Sequence, residues 1–174
     1  MSRARVFIAS SLDGFIAGPN DELDWLSGHE GVEDTFTPFF QQIGAMLMGR
    51  RTFDVVRGFE GEWPYGETPI LVATNRPLST QRESVQGVRG NITELVDQAK
   101  QAARDRDVYV DGGALIRSAM DEGLIDELTV TVIPIVLGEG IPLFAGATRR
   151  HQLELLGTRA IGAGLVELVY APRP

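Results

Sequence analysis

The sequence predicts a three-layer α/β domain, with a mixed, mainly parallel sheet that ends in an antiparallel C-terminal edge. Short apolar runs alternate with segments of helical period as far as Gly123, which is typical of strands joined by helices. Beyond Gly123 only strand-period patterns follow, and these predict the antiparallel edge. The length of 174 residues and the 43% hydrophobic content suit one core. We therefore expect a single domain over residues 1–174.

The composition argues against several classes of protein. There are 24 acidic and 16 basic side chains, a net charge of −8, which does not suit a general nucleic-acid binder. The absence of cysteine excludes disulfides, thiol nucleophiles and cysteine-ligated zinc. The first apolar run is too short for a signal peptide, and no run approaches the roughly 20 residues of a membrane span. We expect a soluble, cytoplasmic protein.

Strands and helices are predicted from the period of the apolar residues. The predicted strands are residues 6–10, 45–48, 70–73, 85–89, 108–110, 127–136, 151–156 and 165–170. The predicted helices are residues 51–56, a segment capped by Asn91 and Glu94, and residues 114–122. An earlier apolar stripe, Val32 to Ile43, allows a very short helix capped by Thr37 or a longer helix from about Asp34, and the longer one is favoured despite Pro38.

Two strand–glycine–helix turns are the candidate site. In the first, Gly49 is followed by Arg50, Arg51 and Thr52 where a helix should start. Free N–H groups at a helix start attract anions, and arginine forks grip phosphate. The second turn holds Gly112 and Gly113. Two such turns could hold the two ends of a dinucleotide.

Simpler interpretations of the same features are available. The arginines could be solvated charges on an ordinary turn, and the glycine pair a tight turn outside the spaced Rossmann pattern. His29 and His151 have no partners at metal spacing, so no metal site is predicted.

The order of the motifs resembles a known family. Met48-Gly49-Arg50-Arg51-Thr52, the later Thr74-Asn75-Arg76-Pro77 and the turn Asp111-Gly112-Gly113 occur in the order seen in the dihydrofolate reductase superfamily. The resemblance is strongest to the bacterial branch similar to the reductase domain of the riboflavin-biosynthesis deaminase–reductase. It implies a dihydrofolate reductase-like fold and an NADPH cofactor.

The resemblance also implies which residues bind NADPH. The first turn would bind the phosphates, and the segment after the third strand would bind the 2′-phosphate. The second turn and the first strand would contact the pyrophosphate and the nicotinamide. The implied residues are Gly49, Arg50, Arg51, Thr52, Thr74, Asn75, Arg76, Gly112, Gly113, Ala114, Leu115, Ile116, Ala9, Ile16 and Ala17. A cis peptide bond within residues 111–113 is also implied.

Two acidic residues depart from the family pattern. Asp111 replaces a third glycine, and its charge should repel a nearby pyrophosphate unless it points away. The catalytic carboxylate has only an approximate counterpart, Glu33, which on the longer helix borders the apolar stripe of Phe36. Glu33 is thus the predicted proton donor, with a plain role at the helix N-terminus or a proton from water as alternatives.

The predicted function is NADPH-dependent reduction of a C=N or C=O bond in a small flat heterocycle, a pterin, folate or pyrimidine. This resembles dihydrofolate reductase or 5-amino-6-(5-phosphoribosylamino)uracil reductase. Two alternatives are a non-catalytic nucleotide- or flavin-binding module and a structural dimer with a vestigial site. A homodimer is expected through the apolar edge that runs from Leu128 to Phe144.

Overall fold

The computed structural model describes residues 1–173, and its central feature is one eight-stranded sheet. The strands are β1 (Ala4–Ser11), β2 (Phe15–Ala17), β3 (Ile43–Gly49), β4 (Ile70–Ala73), β5 (Val85–Val88), β6 (Asp107–Asp111), β7 (Glu127–Ile133), β8 (Ile141–Pro142), β9 (Leu153–Gly162) and β10 (Leu165–Pro172). The helices are α1 (Phe36–Phe40), α2 (Arg50–Val56), α3 (Ile92–Ala103) and α4 (Gly113–Asp121), with a 3₁₀ turn at Asp24–Leu26.

The sheet confirms the predicted mixed topology. Its order is β5-β4-β3-β6-β1-β7-β10-β9, and β2 pairs separately with β8. In this order, the six strands from β5 to β7 run parallel to one another. β10 is antiparallel to both of its neighbours, β7 and β9. The parallel neighbours β3, β6 and β1 therefore end at the same edge, where open α/β sheets bind ligands.

Alternate residues of the central strands fill two cores, one on each face of the sheet. On β3, Leu47 packs on the face covered by α3 and α4, with Val96 and Ile116. Its neighbour Met46 packs on the opposite face, where Phe53 of α2 lies. A strand buried on both faces reads as a continuous apolar run, which is why β3 was recognisable in the sequence.

The helix start at Asn91 is as predicted. The Asn91 side chain accepts a hydrogen bond from the Glu94 N–H at 3.0 Å, and the Glu94 carboxylate accepts one from the Asn91 N–H at 2.8 Å. This reciprocal capping box satisfies two N–H groups that lack partners within the helix.

The longer helix predicted from Asp34 is wrong. α1 spans only Phe36–Phe40, and Pro38 is its third residue. Asp34 lies outside the helix, where its carboxylate accepts a hydrogen bond from the Thr37 N–H at 2.9 Å. Because proline is tolerated only in a first turn, Pro38 confines the helix to a start close to itself.

The phenylalanines of α1 pack in the core. Phe39 lies with its ring centroid 4.8 Å from that of Phe7, and Phe36 stacks on Phe40 at 5.3 Å. Tyr109 closes the cluster, with its hydroxyl donating to the Phe7 carbonyl oxygen at 2.7 Å.

The apolar run that starts at Leu128 is not a free edge. β7 pairs with β1 on one side and β10 on the other, so its apolar character reflects burial on both faces. The terminal strand on this side of the sheet is β9, whose Leu155 and Leu156 are about half exposed. No helix within residues 1–173 combines the length and apolarity that crossing a bilayer requires.

Candidate functional site

A cavity of about 420 Å³ lies at the edge of the sheet where β3 and β6 end. It collects eleven of the predicted site residues, in agreement with the two-turn hypothesis: Ala9, Ile16, Ala17, Gly49, Arg50, Arg51, Thr52, Gly112, Gly113, Ala114 and Leu115. Ile116 is the exception among the second-turn residues, because it is fully buried in the core beneath α4. Ile116 therefore packs α4 against the core and does not line the cavity.

The two glycine turns are packed against each other. A Cβ atom on Gly112 would lie 2.9 Å from the Thr52 Oγ1 atom and 3.5 Å from the Gly49 nitrogen. Gly112 also has φ 112°, a conformation that side chains other than glycine strongly disfavour. Position 112 therefore requires glycine, and the start of α2 lies directly beside the second turn.

The expected cis peptide bond is wrong for this structure. Every peptide bond described in residues 1–173 is trans, including those from Asp111 to Gly113. The turn instead has a positive φ at Gly112.

A second cavity, of about 380 Å³, adjoins the first through Arg50, which lines both. It contains the predicted residues Thr74, Asn75 and Arg76, and it adds Arg89. The Arg89 guanidinium donates to the Asn75 carbonyl oxygen at 3.0 Å. The segment after β4 is thus folded around a cationic cavity.

One carboxylate, that of Asp54, lies close to three arginine side chains beside this second cavity. Asp54 accepts from Arg50 Nε at 3.1 Å, and it lies 3.6 Å from Arg57 Nε and 3.8 Å from Arg76 Nη2. Arg50 also donates to Thr74 Oγ1 at 3.1 Å. A local positive excess therefore remains on a chain of net charge −8, and anions are its natural partners.

Arg51 is held by the loop that crosses the main cavity. Its Nε atom donates to Asp21 Oδ1 at 2.7 Å, and both residues line the cavity. Asp21 has φ 64°, a left-handed conformation that Asp and Asn tolerate better than most residues. The ion pair joins the loop after β2 to the first turn of α2.

Asp111 is the second carboxyl group in the main cavity, and no role was predicted for it beyond its conflict with a pyrophosphate. Burial raises its pKa to about 6, against a smaller lowering by the Gly112 N–H. Within the described part of the chain, no cationic side chain pairs with Asp111 and no other side chain donates a hydrogen bond to it. The charge of Asp111 adds to burial in raising the pKa of Tyr65 and of Tyr109, which lie on the same face of the sheet. Below about pH 6 Asp111 is mainly protonated, and it then carries little repulsion for a nearby anion.

Arg117 is a site residue that sequence reasoning missed. Its Nη1 atom donates to the carbonyl oxygens of Pro142 at 2.9 Å and Leu143 at 3.1 Å. These bonds hold β8 against the second turn, and a Cβ atom on Gly113 would lie 3.0 Å from Arg117 Nη1. Spacing could have revealed it, because residues 113 and 117 share one face of a helix.

Glu33, the predicted catalytic residue, is not brought to the cavity. It lies outside α1, and its carboxylate pairs with Arg159 of β9 at 3.0 Å. The side chains of Glu33 and Arg159 are 55% and 52% exposed, and the residues that line the two cavities do not include either one. The assignment depended on the longer helix, which does not form, so the fold does not bring Glu33 to the cavity.

The fold and the paired cavities define a member of the dihydrofolate reductase superfamily, as the motifs indicated. Residues 63–167 match the RibD C-terminal domain family, and the chain belongs to that family. Among curated relatives, the uncharacterized protein YwjB of Bacillus subtilis is 36% identical over 167 residues, covering 95% of each chain. The riboflavin biosynthesis protein RibD of Corynebacterium ammoniagenes is 29% identical, with 90% of this chain matching 51% of that protein.

Solved structures give the same fold. A candidate riboflavin biosynthesis protein from Shewanella sp. PV-4 has a TM-score of 0.87 at 30% identity, covering 99% of both chains. A Thermotoga maritima deaminase/5-amino-6-(5-phosphoribosylamino)uracil reductase has a TM-score of 0.71 at 14% identity, over 99% of this chain and 57% of that one. Enterococcus faecalis dihydrofolate reductase, complexed with NADP(H), has a TM-score of 0.67 at 16% identity, over 99% and 97%.

Proposed function

We propose that this protein is an NADPH-dependent reductase that delivers hydride to a C=N or C=O bond of a small flat heterocycle. The observation that carries the proposal is the pair of cavities joined at Arg50, one cationic and one mainly apolar. A dinucleotide with an extra phosphate needs cations at one end and a dry, small-residue surface at the other. Membership of the RibD C-terminal domain family supports the same conclusion.

The residues of both cavities fit this cofactor. Arg76 and Arg89, with Thr74 and Asn75, would hold the 2′-phosphate end, and Arg50 would lie between that end and the pyrophosphate. The Gly112–Gly113 turn leaves backbone free to approach the pyrophosphate. Small and branched apolar side chains would enclose the nicotinamide ring, namely Ala9, Ile16 and Ala17.

The proton is assigned to Asp111 in place of Glu33. When bound, the cofactor supplies hydride, and reduction of a C=N bond also needs a proton on nitrogen. Asp111 lines the cavity, carries no salt-bridge partner within residues 1–173, and has a pKa of about 6. A general acid works best when its pKa lies near the working pH.

Thermal shift with NADPH, NADH, flavins and pterins tests the proposal, followed by NADPH oxidation with a panel of heterocycles. We expect stabilisation by NADPH, since a ligand that binds only the folded state stabilises it. Tight binding without turnover on any heterocycle would favour the nucleotide- or flavin-binding module. Absence of binding by all four classes would favour the structural protein with a vestigial site.

Releasing Arg51 from Asp21 should tighten NADPH binding. In the free protein Asp21 neutralises Arg51, so an incoming phosphate must compete with a carboxylate. We expect Asp21→Asn to lower the dissociation constant for NADPH by roughly threefold to fivefold, because exposed ion pairs contribute at most about 1 kcal/mol. Asn tolerates the left-handed backbone at position 21. Weaker binding by the variant, measured by fluorescence titration, would show that Asp21 supports the site instead.

We also propose a homodimer, with the contact moved from the β7 run to the terminal strand β9. Leu155 and Leu156 are 52% and 54% exposed on an edge that lacks a neighbouring strand within residues 1–173. An exposed apolar edge of this kind favours pairing with a second copy. Light scattering should give a dimer mass at micromolar concentration, and Leu155→Lys with Leu156→Lys should give a monomer. A monomer mass for the unaltered chain would contradict the proposal.

A further inference from the structure

The main cavity extends along α2, away from the glycine turns. It begins at Gly49 and Arg50 and continues to Val56 and Phe59, and seven helical residues span about 10 Å. Along this half α2 and the residues after it contribute the apolar side chains of Val55, Val56 and Phe59, and the loop after β2 adds Leu23 and Leu26 to the cavity. On the function proposed above, this half receives the ring that is reduced.

The cations of the main cavity come from the start of α2 and from α4. Among the described lining residues these are Arg50, Arg51 and Arg117. Arg50 and Arg51 occupy the first turn of α2, and Arg117 lies beside Gly113. Each has a partner already, since Arg50 binds Asp54, Arg51 binds Asp21, and Arg117 binds two carbonyl oxygens.

The surroundings of the far half do not supply a cation either. Arg57, which follows α2, pairs with Asp54 and does not line the cavity. Beyond Phe59 the chain carries Glu60 and Glu62, both exposed. A phosphate placed there would lose water without gaining the charge-assisted hydrogen bonds that stabilise buried anions.

We infer that the substrate is an unphosphorylated, uncharged flat heterocycle whose edge forms a hydrogen bond with Asp111. The apolar walls would pack against the faces of such a ring, and the carboxyl group would bind a polar atom at its edge. The Thermotoga maritima reductase, by contrast, is named for a phosphoribosyl compound. The two proteins share the fold, and on this inference they differ in substrate class.

The inference is tested with one pair of probes on the cofactor-loaded protein. NADP⁺ binding is measured first, and its failure would count against the proposed function rather than against the substrate class. The probes are 5-amino-6-(ribosylamino)uracil and its 5′-phosphate, titrated calorimetrically into the NADP⁺ complex. We expect the unphosphorylated probe to bind at least tenfold more tightly. Equal or tighter binding of the phosphate, or binding of neither probe, overturns the inference.

A charge added at Phe59 provides a matched second test. Phe59 is 52% exposed, so its replacement should leave folding intact, which thermal melting verifies. Phe59→Arg should reduce the preference for the unphosphorylated probe about tenfold, whereas Phe59→Gln should leave the ratio of the two dissociation constants unchanged. An unchanged ratio in the Arg variant would place the probe elsewhere and overturn the inference.

Discussion

Replacement of Asp111 by Asn is expected to lower turnover by roughly 10²–10⁴-fold, the usual contribution of a positioned general acid. Asp111 ends the central strand β6, where it pairs with Met48 of β3, and it lines the main cavity. Asparagine keeps the shape of the side chain but has no proton to release to a reduced nitrogen. NADPH affinity should change little, since the arginines that would hold its phosphates are untouched. Single-turnover oxidation of NADPH is the direct measurement.

The pH profile distinguishes proton donation from a structural role. Burial raises the pKa of Asp111 to about 6, so the protonated fraction is large below pH 6 and falls tenfold per unit above it. Turnover should follow that fraction downward as pH rises, and the Asn variant should lose this limb. Glu33→Gln is the matched control, because Glu33 pairs with Arg159 on the surface, and it should keep the full rate. A variant at Asp111 with wild-type rate and profile would mean that water delivers the proton.

The same raised pKa has a consequence for stability. In the unfolded chain Asp111 titrates near 3.8, and in the folded chain near 6. The folded state therefore holds its proton more tightly, and stability is lost as pH rises from about 4 through 6. The difference corresponds to at most about 3 kcal/mol above pH 6. Asp111→Asn should therefore be more stable than the natural protein at pH 8 in urea unfolding, although it is less active. Such a result would also show that lost activity is not lost folding.

The parts of the fold that were predictable are those set by local sequence. β3 and β4 are recognisable as apolar runs because both of their faces are buried. The start of α3 was predictable from the Asn91–Glu94 capping box. The glycine turns were predictable because a strand end, a glycine and a helix start follow directly in the chain. The residues around those turns therefore came together as expected.

The errors concern features decided by tertiary context. Local period favoured a long helix through Pro38, but burial of Phe36 and Phe39 against Phe7 and Tyr109 stabilises a short one. Asp111 is functional in our proposal because burial changes its ionisation, and no local pattern reports burial of a single carboxyl group. The β7 run resembled an edge, whereas pairing with β10 makes it an interior strand. Position in the sheet is a long-range property.

NADPH should bind more tightly than NADH by roughly 10–100-fold, the range of a charge-assisted hydrogen bond of about 1.5–3 kcal/mol. The difference between the cofactors is one phosphate, and the second cavity presents Arg50, Arg76 and Arg89 to it. Asp54 is the carboxylate that contacts both Arg50 and Arg76. One negative charge therefore faces two of the three guanidinium groups, and a net positive charge remains for the phosphate. The preference should shrink in high salt, because exposed charges are screened.

Arg76→Ala should weaken NADPH binding about tenfold, at the lower end of that range because the side chain is 71% exposed. Adding Arg89→Ala should bring the loss towards 100-fold, whereas NADH binding should stay within about twofold. Arg50 is unsuitable for this test because its bonds to Asp54 and Thr74 also hold the segment after β4.

The matched control for Arg76 is Arg57→Ala. Arg57 contacts the same carboxylate, Asp54, at 3.6 Å, yet it does not line the cationic cavity. Removing Arg57 alters the local charge by the same amount as removing Arg76, so general electrostatics would weaken NADPH binding equally in the two variants. Direct contact with the 2′-phosphate would weaken it in Arg76→Ala alone. Equal effects of the two variants on NADPH, or equal losses for NADPH and NADH in Arg76→Ala, would remove the second cavity from the cofactor site.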